Sequence, residues 1–375
     1  MTSKLARYLT RTRPRTPVLI VDLDCVEAKY HAMRAALPDA HIYYAVKANP
    51  AIEVLERLVP LGCCFDVASL QEIQSVLEAG AAPDRLSFGN IIKKESDIAE
   101  SYRLGVRLHA FDSEAELCKI ARVAPGSRVF CRILIDSAGA EWPLSRRFGC
   151  VPAMAIELLR RAPSLGLIPF GLSFHVGSQQ MDPGQWDSAI GVSSALFHRL
   201  DDHGIRLEML NLGGGFPATY RRPVPPLSAY AARIHDSLRQ HFGAAIPQII
   251  IEPGRGLVGD AGVIETEVVL VARKDDSGES IWVYVDVGKF GGLAETADEL
   301  IQYPITTHRT GAPRPVILAG PTCDSMDILY ERSRYCLPED VCIGDRLRIT
   351  SAGAYTRSYA SIGFNGFPPL DVRCI

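Results

Sequence analysis

The stretch on which the fold turns is His41-Ile42-Tyr43-Tyr44-Ala45-Val46-Lys47-Ala48-Asn49-Pro50. β-Branched and aromatic residues fill it up to Lys47, and Asn-Pro then stops it, the pattern of a buried strand breaking into a loop. An ammonium delivered to the rim of a sheet is open to burial, which can lower its pKa until the amine is nucleophilic. Taken alone, a lysine at a strand end is more often simply solvated. Its meaning depends on what the rest of the chain brings to it.

Outward from Lys47, strand-like and helix-like segments alternate. Ile42–Lys47, Cys64–Ala68, Arg85–Phe88, Leu108–Phe111, Val129–Ile135, Phe170–Val176, Met209–Leu212 and Gln248–Glu252 read as strands. Between them, Glu53–Val59, Leu70–Ala79, Glu114–Val123, Ala153–Arg160, Ala189–Asp202 and Tyr230–Phe242 carry helical periodicity. Eight strands in such an alternation are what a parallel (β/α)₈ TIM barrel requires. An earlier strand-like run, Val18–Leu23, with the helix-like Cys25–Leu37, precedes the barrel proper. After Gly262 the texture changes to Val263–Ala272, Ile281–Val287, Arg314–Ala319 and Arg346–Thr350, joined by turns such as Asp275-Asp276-Ser277-Gly278. Only Leu293–Ile301 keeps a helical period there. The expected organisation is a barrel domain over 18–260 and an antiparallel β-barrel or sandwich over 261–375, with residues 1–17 joined to it.

Composition sets outer bounds. The chain has 375 residues, 47% hydrophobic and 22% charged, enough for one large and one smaller globular domain. A formal net charge of −3 gives no reason to expect nucleic acid. No apolar run approaches the roughly 18 residues of a membrane span. Met1–Pro17 carries Lys4, Arg7, Arg11, Arg13 and Arg15 with no acid and lacks the apolar centre of a secretory signal, so it reads as a solvated basic arm, with a mitochondrial-type leader as the other reading. Ten cysteines are scattered, among them the adjacent Cys63-Cys64, with no Cys-x-x-Cys. That argues for a reducing cytoplasm with neither a disulfide framework nor a structural zinc or other metal site.

In a barrel of this kind the chemistry gathers at the carboxyl ends of the strands. Those ends supply Lys47, Asp66, His175 with Ser178, Gly213-Gly214-Gly215, and Glu252 followed by Gly254 and Arg255. Three glycines after a strand expose N–H groups and let an anion approach, which suits a phosphate, and Arg255 can add a cation. Glu252 closes Ile249-Ile250-Ile251 and can face a ring nitrogen; the flat His175 ring can lie on a cofactor face. A lysine among such partners forms Schiff bases with carbonyl substrates or with pyridoxal phosphate (PLP). Later in the chain, Gly320-Pro321-Thr322-Cys323-Asp324-Ser325 sets a thiol beside a carboxylate, and Gly353-Ala354-Tyr355 supplies a phenol. Each has an ordinary alternative: a flexible turn, a core histidine, a buried cysteine next to a turn-forming aspartate.

Together these motifs carry a resemblance. Tyr44-Ala45-Val46-Lys47-Ala48-Asn49, Phe65-Asp66-Val67-Ala68-Ser69, Phe174-His175-Val176-Gly177-Ser178, Gly213-Gly214-Gly215-Phe216-Pro217, Glu252-Pro253-Gly254-Arg255, the Cys323-Asp324 turn and Gly353-Ala354-Tyr355 run in one order over nearly the whole chain. The chain resembles the fold type III PLP-dependent decarboxylases of the ornithine/lysine/arginine group. The resemblance implies an alanine racemase-like barrel with a C-terminal β-domain, and a homodimer whose active sites are shared across the interface. It implies that Lys47 binds PLP, His175 stacks on its ring, and Glu252 pairs with the pyridine nitrogen. Ser178, Gly213, Gly214, Gly215, Gly254, Arg255 and Tyr355 would hold the phosphate, with Asp66, Glu72 and Arg132 in support. Cys323 would return a proton to Cα at the cofactor of the partner subunit, and Asp324 would bind the substrate's distal ammonium.

Cys323-Asp324-Ser325, rather than the Cys-Glu-Ser usual in diaminopimelate decarboxylases, together with Phe364-Asn365-Gly366-Phe367, points to the ornithine/lysine side. Ala140–Ser145 and Gly291–Thr296 look like the compact bacterial enzymes. One departure stands out: where animal-type ornithine decarboxylases carry a Tyr-Asp pair, this chain has Tyr303-Pro304, with Glu295, Asp298 or Glu299 as possible replacements. The expected activity is decarboxylation of L-ornithine to putrescine. Lysine, arginine, diaminopimelate or a modified amino acid are the alternatives within the class. An amino-acid racemase and a non-catalytic regulatory homologue are those outside it.

Overall fold

The computed structural model describes residues 1–135, 140–142, 147–274 and 281–375. The turn expected at Asp275–Gly278 and all of Pro143–Ser145 lie outside the described residues. The chain divides into two units, one of Glu27–Pro217 with Val224–Gly256, the other of Met1–Val26, Ala218–Pro223 and Leu257–Ile375.

Eight parallel strands close the barrel of the first unit: Ala40–Ala45, Cys64–Val67, Leu86–Phe88, Leu108–Phe111, Arg128–Arg132, Ile168–Ser173, Met209–Asn211 and Gln248–Ile251. The last pairs with the first, Ile249 against Ala40 and Ile251 against Ile42. All eight strands are those expected from the sequence, with ends shifted by a few residues. Tyr43, Leu108, Ala110, Phe130, Phe170, Met209 and Ile250 form a cluster in its core. Between strands, Ser69 and Ser113 cap their helices by accepting the amides of Glu72 and Glu116, a serine-to-glutamate spacing that starts helices well. One helix, Glu95–Arg103, was not foreseen. Its only buried side chains are Ile98 and Ser101 and its Lys94 cap makes no side-chain bond, so it lacks both an apolar stripe and a start signal.

The second unit is built on a mixed sheet. Gly262–Arg273 is its long member, antiparallel to Val18–Val21, Ile281–Val285 and Arg346–Thr350. Two pairings are parallel, Val18–Val21 with Asp371–Cys374 and Ile281–Val285 with Ile317–Ala319, so the sheet is less uniform than the antiparallel structure expected. The strand Val18–Val21 thus belongs to this sheet and not to the barrel domain expected from residue 18.

The basic N-terminus is also different from the solvated arm. Ser3–Thr12 is a helix capped by Thr2, and Leu5 and Leu9, one turn apart, are buried against Val18, Ile20 and Val263. Two leucines at that spacing suffice because the sheet completes the apolar surface; Arg7 and Arg11 stay exposed. Leu293–Ile301 is no regular helix, since Ala297 is extended and Asp298 is left-handed at φ 52. No helix among the described residues is long and apolar enough to cross a membrane.

Candidate active site

Alternation along the strands builds the site. A side chain two residues on returns to the same face of a strand. The interior face of the barrel therefore runs from Tyr43 to Ala45, from Cys64 to Asp66, from Ala110 to Asp112, from Phe130 to Arg132, from Met209 to Asn211 and from Ile250 to Glu252. Apolar residues fill the middle, and polar ones collect at one rim because the strands are parallel.

Lys47 lies on the one-turn helix Val46–Ala48 that follows the first strand. Ala45 N–H donates to Pro253 O at 3.1 Å, which brings this strand end beside Glu252-Pro253. Val46 and Ala48 are buried, but Lys47 is exposed. The burial expected of its amine is thus not seen. Its neighbours are carboxylates instead, and its charge acts on both Asp66 and Glu72.

Asp66 is buried, and its Oδ1 has no hydrogen-bond partner among the described residues. Burial pushes its carboxyl well above the usual range and Glu252 adds to this, while Lys47 and Arg132 oppose it. Burial likewise raises Glu72, against the Ala68 N–H that donates to its Oε2 at 2.7 Å. Burial lowers Arg132, with Glu252, Asp66 and Asp112 opposing. Burial also takes His175 well below its ordinary value, helped by the charges of Arg132 and Lys47, so the ring is neutral at pH 7. Gly177 N–H donates to its Nδ1 at 3.0 Å, which leaves the ring proton on Nε2.

The triple glycine is a cradle that side chains would fill. Gly213 and Gly215 have φ of 67° and 103°, a region that favours glycine. A Cβ on Gly214 would come within 2.6 Å of Glu252 O and 3.1 Å of His175 Nε2, and one on Gly215 within 2.6 Å of Gly177 O. Nearby, Arg255 is buried, with Nε and Nη2 3.4 and 3.2 Å from Ser178 Oγ. The barrel unit thus brings together Lys47, Asp66, Glu72, Arg132, His175, Ser178, Gly213 to Gly215, Glu252, Gly254 and Arg255.

The remaining candidates lie in the second unit. Cys323 is exposed and its N–H donates to Asn365 Oδ1 at 2.9 Å. Asp324 Oδ1 accepts Met326 N–H at 2.8 Å, so the turn-forming role is real for one of its oxygens. Tyr355 holds a left-handed φ of 55°. A cavity of about 370 Å³ in this unit is lined by Phe290, Phe364, Phe367, Pro321, Thr322 and Asp286, among others. Tyr303 is buried, its N–H donating to Tyr330 Oη at 2.8 Å. Glu299 is committed to a turn, accepting the amides of Glu331, Arg332 and Ser333 at 2.8, 2.7 and 2.7 Å.

Three residues escaped the sequence reading. Asn211 bonds both Glu252 and Gly213. Asp112 accepts Gly149 N–H at 2.9 Å and faces Arg132. Counting two residues on from Met209 and from Ala110 would have found both. Asp327, buried beneath the Cys323 turn, has no such signal.

A lysine amine, a glycine cradle with a buried arginine, and a carboxylate cluster at one barrel rim define a class: barrels that hold a phosphorylated aldehyde cofactor on a lysine. The glycine positions and the unpartnered Asp66 oxygen fit such a group. Residues 23–259 match the model of the pyridoxal-dependent decarboxylase pyridoxal-binding domain, and the chain belongs to this family of PLP-dependent enzymes, in its ornithine/lysine/arginine group. It is 32% identical to a lysine/ornithine decarboxylase of Selenomonas ruminantium over 98% of this chain and 91% of the relative. It is 33% identical to antizyme inhibitor 2 of Xenopus laevis, over 99% and 83%. A lysine decarboxylase of Selenomonas ruminantium solved with PLP and cadaverine superposes with a TM-score of 0.90 at 31% identity, covering 100% of this chain and 94% of that one.

Proposed function

We propose that this protein is a PLP-dependent decarboxylase of basic L-amino acids, acting on L-ornithine to give putrescine and CO₂. The observation that carries it is the rim where Lys47, Asp66, Glu72, Arg132, His175, the glycine cradle and Glu252 converge, in a chain that also retains Cys323 and Asp324. Lys47 would hold the cofactor aldehyde, and Ser178, Gly213, Gly214, Gly215, Gly254, Arg255 and Tyr355 its phosphate. Glu252 would face the pyridine nitrogen and neutral His175 the ring. PLP, when bound, supplies an electron sink for the pair left behind as CO₂ departs.

The residues of the chain do the rest. The Asp324 oxygen not spent on Met326 N–H would take the distal ammonium of the substrate. The Cys323 thiol, on a turn anchored by Asn365, would deliver a proton to Cα in place of the lost carboxylate. Glu299, bound to its turn, is a poor second contact for that ammonium, which leaves exposed Asp298 and buried Glu295. A homodimer sharing its sites, a cytoplasmic location and a division of labour between the barrel unit and the second unit belong to the same proposal.

Lysine is the nearest competing substrate, since relatives are named for it. Incubating the PLP-loaded protein with ornithine, lysine, arginine and diaminopimelate while measuring CO₂ tests the proposal, and silence with the first two would sink it. Likeness to antizyme inhibitor 2 favours one second reading, a regulatory protein that turns over no substrate; failure to develop the absorbance of bound PLP would support it. Loss of optical activity without CO₂ would indicate a racemase.

A further inference from the structure

Asn211 ends the seventh barrel strand and is buried. Its Nδ2 donates to Glu252 Oε1 at 2.5 Å and its Oδ1 accepts Gly213 N–H at 2.9 Å. Glu252 N–H donates back to Gly213 O at 2.8 Å, which closes a ring of three residues. The amide has only one workable orientation. Turned over, its oxygen would face a carboxylate oxygen and its NH₂ would face an N–H, so two bonds would become two repulsions. An ionised aspartate at 211 would lack the donor, and a leucine would lack both groups.

The geometry points to Asn211 as a positioning residue that locks the Glu252 carboxylate and the Gly213 loop into one piece, so that a single side chain sets both ends of the PLP site. This rests on Glu252 facing the pyridine nitrogen and the glycines holding the phosphate, as proposed above. The charge pattern of the rim supports it. Asp66, Glu72 and Glu252 share the rim with Lys47 and Arg132, and a donor on a carboxylate favours its ionised form. Asn211 gives Glu252 the donor that Asp66 Oδ1 lacks. Burial raises the carboxyl of Asp66, the one without that donor.

The test uses the full-length protein as wild type, Asn211→Ala, Asn211→Asp and Glu252→Gln, each loaded with PLP carrying ¹⁵N in the ring. The pyridine ¹⁵N shift and the PLP dissociation constant are read, with thermal melting as the check on folding. Glu252→Gln should move the ¹⁵N signal toward the unprotonated value, and both Asn211 variants should move it the same way. Asn211→Ala, which loses both bonds, should weaken PLP binding by about tenfold or more. Asn211→Asp keeps an acceptor for Gly213 N–H and should weaken it less. A folded Asn211→Ala with wild-type signal and affinity, beside a shifted Glu252→Gln, overturns the role of Asn211 alone. If Asn211→Ala does not fold, a wild-type signal in Asn211→Asp does the same. An unshifted Glu252→Gln removes Glu252 as the nitrogen's partner and overturns both the inference and the reading beneath it.

Discussion

Asp327 holds Thr322 twice over, its Oδ2 accepting the Thr322 N–H at 3.1 Å and the Thr322 hydroxyl at 2.7 Å. Its Oδ1 takes Lys289 N–H at 2.7 Å, so one buried carboxylate ties the start of the Cys323-Asp324 turn to the loop at Gly288. Asp327→Ala strands three donors, which costs about 3 kcal/mol or more in stability. Asp327→Asn keeps part of the set and should stay folded. With that variant, decarboxylation should fall by about tenfold or more while PLP still binds, because the turn moves and the barrel rim does not. Parallel measurement of CO₂ release and bound-cofactor absorbance checks this.

Arg255 places a buried guanidinium on Ser178 Oγ, the arrangement expected of a phosphate site. Arg255→Ala should raise the PLP dissociation constant by about ten- to a hundredfold, the worth of one charge-assisted contact. Arg255→Lys should recover only part of this, since an ammonium lacks the planar fork. Titration of the apo-protein with PLP decides it.

The pair Lys93–Glu116 has no contact with the proposed chemistry, yet it is among the most buried charges in the barrel. Lys93 Nζ is 3.0 Å from Glu116 Oε1 and donates to Asn90 O and Ala110 O at 2.6 and 2.7 Å. Burial lowers its pKa to about 8 despite Glu116. Glu116→Ala leaves that ammonium unpaired and should destabilise the fold by about 3–5 kcal/mol. The double variant Lys93→Met, Glu116→Leu should recover most of the loss. Urea melts of the wild type, the single variant and the double variant read both outcomes.

His109, fully buried in the barrel wall, should make the protein acid-sensitive. Burial and then the Lys93 ammonium lower its pKa from 6.5 to about 3. Between these values the unfolded chain binds a proton that the folded chain refuses, so stability rises with pH across that window and is lost on acidification. The slope is about 1.4 kcal/mol per pH unit for this one group. His109→Leu should flatten the dependence of the urea midpoint between pH 5 and 7; an unchanged slope would show that other groups set it.

The barrel and much of its rim were legible because strands buried on both faces read as apolar runs, and a polar residue closing such a run stands out. Ile249-Ile250-Ile251-Glu252 shows its carboxylate plainly. Asn211 does not, although it ends a strand in the same way, because the glycines beginning two residues later draw the attention. Its partner Glu252 lies 41 residues further on, on another strand. Leu5 and Leu9 could not announce a packed helix, since their partner Val263 lies far along the chain. The burial expected of Lys47 is absent for a related reason. Exposure depends on what surrounds the one-turn helix, and no property of the strand before it reports that.

The alternation that turns Asp66, Arg132, Asn211 and Glu252 toward the barrel axis also makes their chemistry a matter of parity. A single residue inserted within Gln248–Ile251 would leave Glu-Pro-Gly-Arg intact as text while swinging its carboxylate to the helical side of the wall. Spelling alone would then not make the site: a chain with identical motifs and one strand residue more would present that carboxylate to the helices.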